Sequence, residues 1–289
     1  MLTDDHRNWG FTSSTGLAFT DAVIVDAHFR ACQATYVDLV RAAGIQAGWR
    51  VLDAGCGSGS FLPWLAELVG PSGDIAAIDL AAEHVDLATS RVAGAGLPCP
   101  VRIETGTILD LPYPTGSFDA AWCANTVQYL DDDELDRALA ELCRVVRPGG
   151  VVAVKELDAS LVGVRPGDPL LFADFFRRAA ATPGYARQLL RARELYRWFD
   201  WAGLTEVRQR TVLSEHFAPF TPAEQAFYLP SCARLAEQAV ALGVAGDWAP
   251  LLDTTHPDNP LNHPRGYVCE GSVLVSGTVT DESAGAQPS

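Results

Sequence analysis

The stretch VLDAGCGSG at residues 51–59 combines the residue types of a ligand-binding loop. Its alternate glycines allow a sharp turn and a close approach of a ligand to the backbone. Asp53 precedes Gly55 by two residues, where a carboxylate repels phosphate and attracts a cation such as an ammonium or a sulfonium. No lysine follows to make a phosphate loop, and the spacing G-x-G-x-G differs from the dinucleotide fingerprint G-x-G-x-x-G. An ordinary glycine turn is the alternative.

A second acid, Asp79, lies at the end of the strand-like run DIAAIDL (74–80). A carboxylate at this position can accept hydrogen bonds from both hydroxyls of a ribose and disfavours a 2′-phosphate. Taken alone, Asp79 could equally be a helix N-cap or an exposed acid at a strand end. Taken with the loop, it predicts a ligand that contains ribose, lacks phosphate and has a cationic end.

Strand-like and helix-like segments alternate from residue 50 onward, and they place both acids at strand ends. Strands are predicted at 50–55, 74–80, 101–106, 118–124 and 150–157. Helices are predicted at 60–69, at 82–95, and from the acidic run at 131–133 to the RPGG stop at 147–150. This alternation predicts an open, doubly wound α/β domain with a parallel sheet, whose ligands bind beyond the carboxyl ends of the strands.

The pattern changes after residue 157. Aromatic-rich helices are predicted at 168–181 and 185–204, a strand at 206–213, an insertion at about 216–265 with a helix at 222–242, and a last strand at 266–277. A further helix, from about 21 to 43, leads into the first strand.

Composition narrows the class of protein. Hydrophobic residues make up 48% of the 289 residues, and the formal net charge is -15, which argues against nucleic-acid and polybasic membrane contacts. The start MLTDDHRNWG is not typical of a signal peptide, and no run is long and apolar enough for a membrane span, so we expect a cytoplasmic protein. Seven scattered cysteines without C-x-x-C indicate buried thiols, and we predict no metal site.

Four segments resemble the successive motifs of class I S-adenosylmethionine-dependent methyltransferases: VLDAGCGSG, IAAIDLA, GTILDLPYPTGSFDAAWCANTVQYL and RVVRPGGVVAVKE. Each motif alone is weak, but four in this order and at this spacing, from Arg50 to Glu156, are specific. The resemblance implies a Rossmann-like, seven-stranded sheet whose last strand, 266–277, is antiparallel.

The resemblance also implies residues that contact the cofactor. Those at its methionine end are Asp53, Ala54, Gly55, Cys56, Gly57, Ala124 and Asn125, with Asp53 toward the ammonium. Those at its ribose and adenine are Asp79, Leu80, Thr107 and Ile108. Many relatives carry Asp in place of Thr107, and a hydroxyl accepts more weakly from the adenine amino group. Asn125 could instead be a strand-end turn residue.

The residues that recognise an acceptor are less apparent. Gln128 and Tyr129 follow the fourth strand, where many relatives carry a His, and Gln cannot act as a base, so no catalytic base is assigned. Aromatics in the segments expected to cover the site are Phe172, Phe175, Phe176, Tyr185, Tyr196, Phe220, Phe227 and Tyr228. Helical spacing favours core packing for most of them. With Gln128 and Tyr129, we select Phe176 and Phe227 as substrate-binding residues.

Four histidines lie in segments expected to vary with the substrate: His28, His216, His256 and His263. Each is expected to be a surface or hydrogen-bonded structural residue rather than a base. His256 and His263 lack a third ligand nearby in the sequence, which argues against a metal site.

These features predict a biosynthetic enzyme, a monomer or homodimer, that methylates a small-molecule, secondary-metabolite acceptor by in-line displacement and leaves S-adenosylhomocysteine. The alternatives are a methyltransferase-like enzyme that cyclises or rearranges its substrate, and a non-catalytic binding module. The expected parts are an N-terminal helical lid at 1–43, the cofactor-binding core at 44–157, the rest of the sheet at 158–279 with helical cap insertions at 158–203 and 216–265, and a disordered tail at 280–289.

Overall fold

A computed structural model describes residues 9–281. The strands are β1 Arg50–Ala54, β2 Asp74–Asp79, β3 Val101–Thr105, β4 Phe118–Ala124, β5 Val146–Arg165, β6 Thr205–Phe217 and β7 Tyr267–Thr278. The helices are α1 Ala22–Ala42, α2 Leu62–Val69, α3 Ala82–Ala95, α4 Asp132–Val145, α5 Leu171–Ala179, α6 Tyr185–Arg191, α7 Leu195–Trp201, α8 Pro222–Ala241 and α9 Ala249–Leu252. Most of the predicted tail at 280–289 and the first part of the predicted lid lie outside the described residues.

The strands form one seven-stranded sheet in the order β3-β2-β1-β4-β5-β7-β6. Strands β1 to β5 pair in parallel, and Asp53 of β1 lies in register with Ala77 of β2 and Trp122 of β4. The strand order reverses between β1 and β4. Ligands of open α/β sheets bind at such a point, so the topology puts the glycine loop after β1 and the turn after β4 at the expected edge.

The last strand is antiparallel to both of its neighbours, as predicted. The Gly149 amide donates to the Val279 carbonyl at 2.8 Å, and the Val279 amide donates back to Gly150 at 2.9 Å. The Tyr267 hydroxyl at the start of β7 donates to Glu215 near the end of β6, and the Thr278 hydroxyl at the end of β7 donates to Glu206 near the start of β6. The two strands are therefore antiparallel.

Local sequence signals explain where the long helices begin. Asp131 accepts from the Glu134 amide while Glu134 accepts from the Asp131 amide, which forms a capping box at α4. Thr221 and Glu224 form the same arrangement at α8, where Pro222 occupies the first helical turn. Both helices begin within a residue or two of the predicted positions.

The predicted fifth strand, at 150–157, is too short. The chain leaves α4 directly into β5, because Val146 pairs with Phe118 of β4 and a register shift then accommodates Pro148 and the two glycines. The strand also continues past residue 157, since β7 pairs with it there: Cys269 Sγ donates to the Leu161 carbonyl. The segment RPGG at 147–150 therefore follows the end of α4, as predicted, but it is part of β5.

The chain divides into two compact units. Within the described residues, the first unit contains 9–35, 157–192 and 212–272, and the second contains 36–156, 193–211 and 273–281. Most of the large fully buried side chains, including Trp122, Leu52 and Leu62, belong to the second unit. Among residues 9–281, no helix is both long and apolar enough to cross a membrane. The roles of lid and cap stay predictions.

Candidate functional site

The glycine loop of the second unit is held against the end of β2. The amides of Gly55 and Cys56 donate to the Ile78 carbonyl at 2.8 and 3.0 Å. Gly55 has φ of 80°, and a Cβ built on it would lie 2.9 Å from Thr126 Cβ and collide with the rest of that side chain. A residue with a side chain therefore does not fit at this position without a shift of the turn after β4.

Asp53 is a buried acid with an unsatisfied oxygen. The residue is 1% exposed, and its Oδ2 has no hydrogen-bond partner among the described residues. Burial, and secondarily the charge of Asp79, raise the pKa of Asp53 from 3.8 to about 8. A buried carboxyl oxygen without a donor is costly, so a ligand that brings a cation or a donor to this point is stabilised.

Asp79 joins the end of β2 to the loop. Its Oδ2 accepts from the Gly57 amide at 2.7 Å, and its Oδ1 accepts from the Ala81 amide at 2.9 Å. The N-cap position of α3 is Ala81, so the alternative of Asp79 as the helix N-cap is wrong. Each carboxylate oxygen has two lone pairs, which leaves acceptor capacity for hydroxyl groups.

The residues assigned to adenine lie around the same strand end. Gly106 donates its amide to the Asp79 carbonyl at 2.9 Å, which brings Thr107 beside the Asp79–Leu80 segment. Leu80 is 55% exposed, an apolar surface that a flat ring can cover, whereas Ile108 is buried. Thr107 Oγ1 already accepts from the Leu109 amide at 3.2 Å, which weakens it further as an acceptor for an amino group.

The turn after β4 contacts the glycine loop directly. Ala124 is buried, and Asn125 follows it with φ of 53°, a left-handed conformation that Asn tolerates better than most residues. The Thr126 hydroxyl lies within donating distance of two carbonyl oxygens, that of Gly55 at 3.2 Å and that of Ala124 at 3.0 Å. Asn125 is therefore a turn residue, in addition to any ligand contact.

Two charged residues of β5, neither of them among the predicted site residues, hold that turn. Buried Glu156 accepts from the amides of Thr126 and Val127, each at 2.8 Å. Lys155, the only lysine in the chain, is 0% exposed; its Nζ donates to Asn125 Oδ1 at 2.8 Å and lies 3.6 Å from the ring centroid of Tyr36. The signal was available, because a Lys-Glu pair ends the apolar run VVAV.

Gln128 and Tyr129 belong to a short 3-10 helix, Val127–Tyr129, and both are buried. Gln128 Nε2 donates to the Asn125 carbonyl at 3.2 Å, while its Oε1 lacks a partner among the described residues. The two residues thus share the turn with Asn125, and Gln128 Oε1 can accept from an incoming group.

Phe176 and Phe227 both lie in the first unit, where their rings pack against different partners. Phe176 packs with Trp9 and Phe175 in an aromatic cluster and is 2% exposed. Phe227 stacks on the ring of His28, with ring centroids 4.0 Å apart. Of the other aromatics named above, Tyr196 is exposed and the rest are buried, which confirms core packing for most of the set.

Four histidines of the first unit, all among residues 9–281, make hydrogen bonds within that unit. His216 Nδ1 pairs with Glu224 at 2.8 Å, and His28 Nε2 pairs with Glu270 at 2.7 Å. In the loop before β7, His256 and His263 each accept a backbone amide two residues ahead, from Asp258 and Arg265. The expected structural role is confirmed for this loop.

Comparison with known proteins is consistent with this geometry. Residues 51–150 match a family described as a methyltransferase domain. The chain is 32% identical over 113 residues to Methyltransferase GfsG of Streptomyces halstedii, which covers 39% of each chain. It is 29% identical over 145 residues to the demethylmenaquinone methyltransferase of Lactobacillus johnsonii, covering 50% of this chain and 56% of that one. The matched region thus covers 39% of the length of the first relative and 56% of the length of the second.

The fold is also similar to solved structures. The YcgJ protein of Bacillus subtilis superposes with a TM-score of 0.55 at 21% identity, covering 88% of this chain and all of that one. At this identity, the likeness establishes the fold and nothing further.

Proposed function

The chain belongs to the class I S-adenosylmethionine-dependent methyltransferases, and we propose that it transfers the methyl group of S-adenosylmethionine to a small-molecule acceptor. The observation that carries the proposal is Asp53, whose buried Oδ2 has no donor at the glycine loop. A carboxylate there attracts the ammonium of a methionine moiety and repels a phosphate. S-adenosylhomocysteine is the second product.

Each part of the site has a role in this proposal. Asp53 accepts from the ammonium, and Asp79 accepts from the ribose hydroxyls while it holds the Gly57 amide. Leu80 and Ile108 cover the adenine, and Thr107 lies at its edge. The backbone of residues 54–57 and the turn at Ala124 and Asn125 enclose the methionine moiety. Thr126, Lys155 and Glu156 hold that turn against the loop.

When bound, S-adenosylmethionine supplies a methyl carbon on a sulfonium, so that breaking the carbon–sulfur bond as the acceptor–carbon bond forms leaves a neutral thioether. The protein therefore has little new charge to stabilise, and it accelerates the reaction mainly by holding the reactants in line. An acceptor that loses a proton in the reaction also needs a base.

A small-molecule acceptor is supported by the relatives and by charge. Several of the relatives are demethylmenaquinone methyltransferases, so demethylmenaquinone is the first acceptor to test. A net charge of -15 argues against nucleic acid as the acceptor. The residues proposed to contact the acceptor are Gln128, Tyr129, Phe176 and Phe227.

Calorimetry tests the cofactor. S-adenosylmethionine and S-adenosylhomocysteine should bind, and NAD and ATP should not. Asp79→Ala should weaken S-adenosylhomocysteine by about 1.5–3 kcal/mol, because buried hydroxyls and the Gly57 amide lose a charged acceptor; Asp86→Asn on the exposed face of α3 is the control. Equal affinity for NAD contradicts the proposal.

Mass spectrometry tests the reaction. The acceptor should gain one methyl group per S-adenosylhomocysteine formed. A product of unchanged mass, formed without consumption of the cofactor, would instead establish cyclisation or rearrangement.

A further inference from the structure

Inside the first unit, three side chains with metal-ligating atoms converge although two come from α1 and one from β7. His28 Nε2 lies 2.7 Å from Glu270 Oε1, and Cys32 Sγ lies 3.4 Å from the same oxygen. All three ligand atoms lie within 4.8 Å of one another. His28 and Cys32 are one helical turn apart, so α1 presents both on the same face.

We propose that His28, Cys32 and Glu270 form a binding site for a divalent cation of the zinc class. A set of one imidazole nitrogen, one thiolate and one carboxylate oxygen suits Zn²⁺, whereas Mg²⁺ and Ca²⁺ prefer oxygen alone. Three protein ligands leave the fourth position of a tetrahedral ion for solvent or a small molecule. The inference does not depend on the proposed methyl transfer.

The distances are compatible with an ion after a small adjustment. Bonds of about 2.0–2.3 Å from Zn²⁺ to nitrogen, oxygen and sulfur place tetrahedral ligand atoms about 3.3–3.6 Å apart. The separation of Cys32 Sγ from Glu270 Oε1, 3.4 Å, already falls in this range. The separation of His28 Nε2 from Glu270 Oε1, 2.7 Å, must widen by about 0.6 Å, which rotation of the Glu side chain can supply.

Burial and charge favour an ion at this point. Glu270 is 3% exposed and Cys32 is 1% exposed, so an ion held by this carboxylate and thiolate would be shielded from solvent. A divalent cation makes the cluster neutral. On binding, Cys32 gives its thiol proton to solvent, and neutral His28 carries its proton on Nδ1 so that the Nε2 lone pair is available.

Neighbouring side chains hold the ligands. The ring of Phe227 lies flat on the His28 ring, at an interplanar angle of 8°. The Tyr228 hydroxyl lies 3.3 Å from Cys32 Sγ and donates to Glu270 Oε2 at 3.3 Å. Hydrogen bonds to the second oxygen of a ligating carboxylate are typical of outer-shell residues in metal sites.

Titration with Co²⁺ and Zn²⁺ tests the site. The full chain, stripped with a chelator, should bind one equivalent of Co²⁺ and show a thiolate-to-cobalt charge-transfer band, and Zn²⁺ should displace the Co²⁺. Cys32→Ser should abolish the band, and Glu270→Gln and His28→Ala should weaken the affinity at least about 100-fold, the upper end for loss of outer-shell residues.

Two variants act as matched controls. Cys269→Ser removes the thiol adjacent in sequence to Glu270, and a double replacement of His256 and His263 by Ala removes the exposed histidines of the loop before β7; both should keep the band and the affinity. Circular dichroism in the presence of chelator checks that each variant is folded. If Cys32→Ser unfolds, the isosteric variant Glu270→Gln provides the test. A band that survives in Cys32→Ser, or affinities unchanged in Glu270→Gln, would overturn the proposal, as would binding below one equivalent.

Discussion

At the scale of single residues, the candidate cofactor site concentrates groups that are costly to bury. Asp53 carries a raised pKa and an oxygen without a donor, and Lys155 buries an ammonium whose described contacts include an amide oxygen and an aromatic ring. Uncompensated burial of either group destabilises a fold. Titratable groups with strongly perturbed pKa values concentrate at functional sites.

Binding of S-adenosylhomocysteine near neutral pH should release a proton from Asp53. The pKa of Asp53 is about 8 in the free protein, and the ligand ammonium must lower it, because the ion pair favours the carboxylate. Calorimetry at pH 7 in buffers of different ionisation enthalpy should count close to one proton. Asp53→Asn should release none and bind about 10- to 100-fold more weakly, while Asp86→Asn should match the native chain. Equal proton counts for all three proteins would contradict the assignment.

The same shift should make the ligand-free protein less stable as pH rises. The folded pKa of about 8 exceeds the ordinary value of 3.8, so the folded state binds more protons between these values. Stability from this group is therefore lost by up to about 1.4 kcal/mol per pH unit on the way to pH 8. In scanning fluorimetry, the melting temperature of Asp53→Asn relative to that of the native chain should increase from pH 6 to 8 and stay constant above pH 8. A difference in melting temperature that does not depend on pH would contradict the prediction.

Lys155→Met should weaken cofactor binding without loss of stability. The change removes the hydrogen bond that holds Asn125 in its left-handed turn, and we expect about a 10-fold loss in affinity. The melting temperature should change little, because Met places an apolar chain of similar length in the same buried space. Calorimetry and thermal unfolding separate these effects. If affinity and stability fell together, Lys155 would be structural; unchanged affinity would exclude a positioning role.

At the scale of elements, the site depends on the contact between the loop after β1 and the turn after β4. The loop is fixed to β2 through Ile78 and to the turn through Thr126. The turn is fixed to β5 through Glu156 and Lys155. Four strands therefore share one hydrogen-bond network, and a change that separates loop and turn should affect the site more than the sheet.

Gly55→Ala should damage the site more than a glycine replacement of similar backbone conformation. A Cβ at Gly55 collides with Thr126, whereas one at Gly70, with φ of 65°, meets nothing within 4 Å. We expect Gly70→Ala to cost about 1 kcal/mol from backbone strain alone and Gly55→Ala to cost about 1–3 kcal/mol more. Urea unfolding measures these costs, and only Gly55→Ala should reduce affinity for S-adenosylhomocysteine.

A second replacement identifies the collision as the cause. Thr126→Ala in the Gly55→Ala background removes two of the three close atoms and should recover part of the affinity. No recovery would indicate that backbone conformation, and not the side-chain collision, dominates.

At the scale of the whole molecule, the two units should respond to different ligands. Residues 53–57 and 79–81 belong to the second unit, and the insertion at about 216–265 belongs to the first. Hydrogen exchange should show that S-adenosylhomocysteine protects 53–57 and 79–81, and that an acceptor then adds protection at 216–265, as expected of a segment that closes over a substrate. Maximal protection of 216–265 in the free protein would mean fixed structure and would end the lid hypothesis.

Much of the fold and part of the site were determined by the sequence alone. The alternation of strand and helix patterns predicted β1 to β4 and α1 to α4 within two residues of their ends, because periodicity and capping are local properties. The loop after β1, and the places of Asp53 and Asp79 at the ends of β1 and β2, were predicted for the same reason, since the sequence marks where these strands end.

Only the tertiary structure decided which distant residues meet. Lys155 and Glu156 reach the turn after β4 across about 30 residues, and His28 meets Glu270 across 242. The true length of β5 was likewise hidden, because β7 pairs with its second half from the far end of the chain. These contacts depend on strand order and register, which arise from packing of the whole sheet, and no local pattern of residue types encodes them.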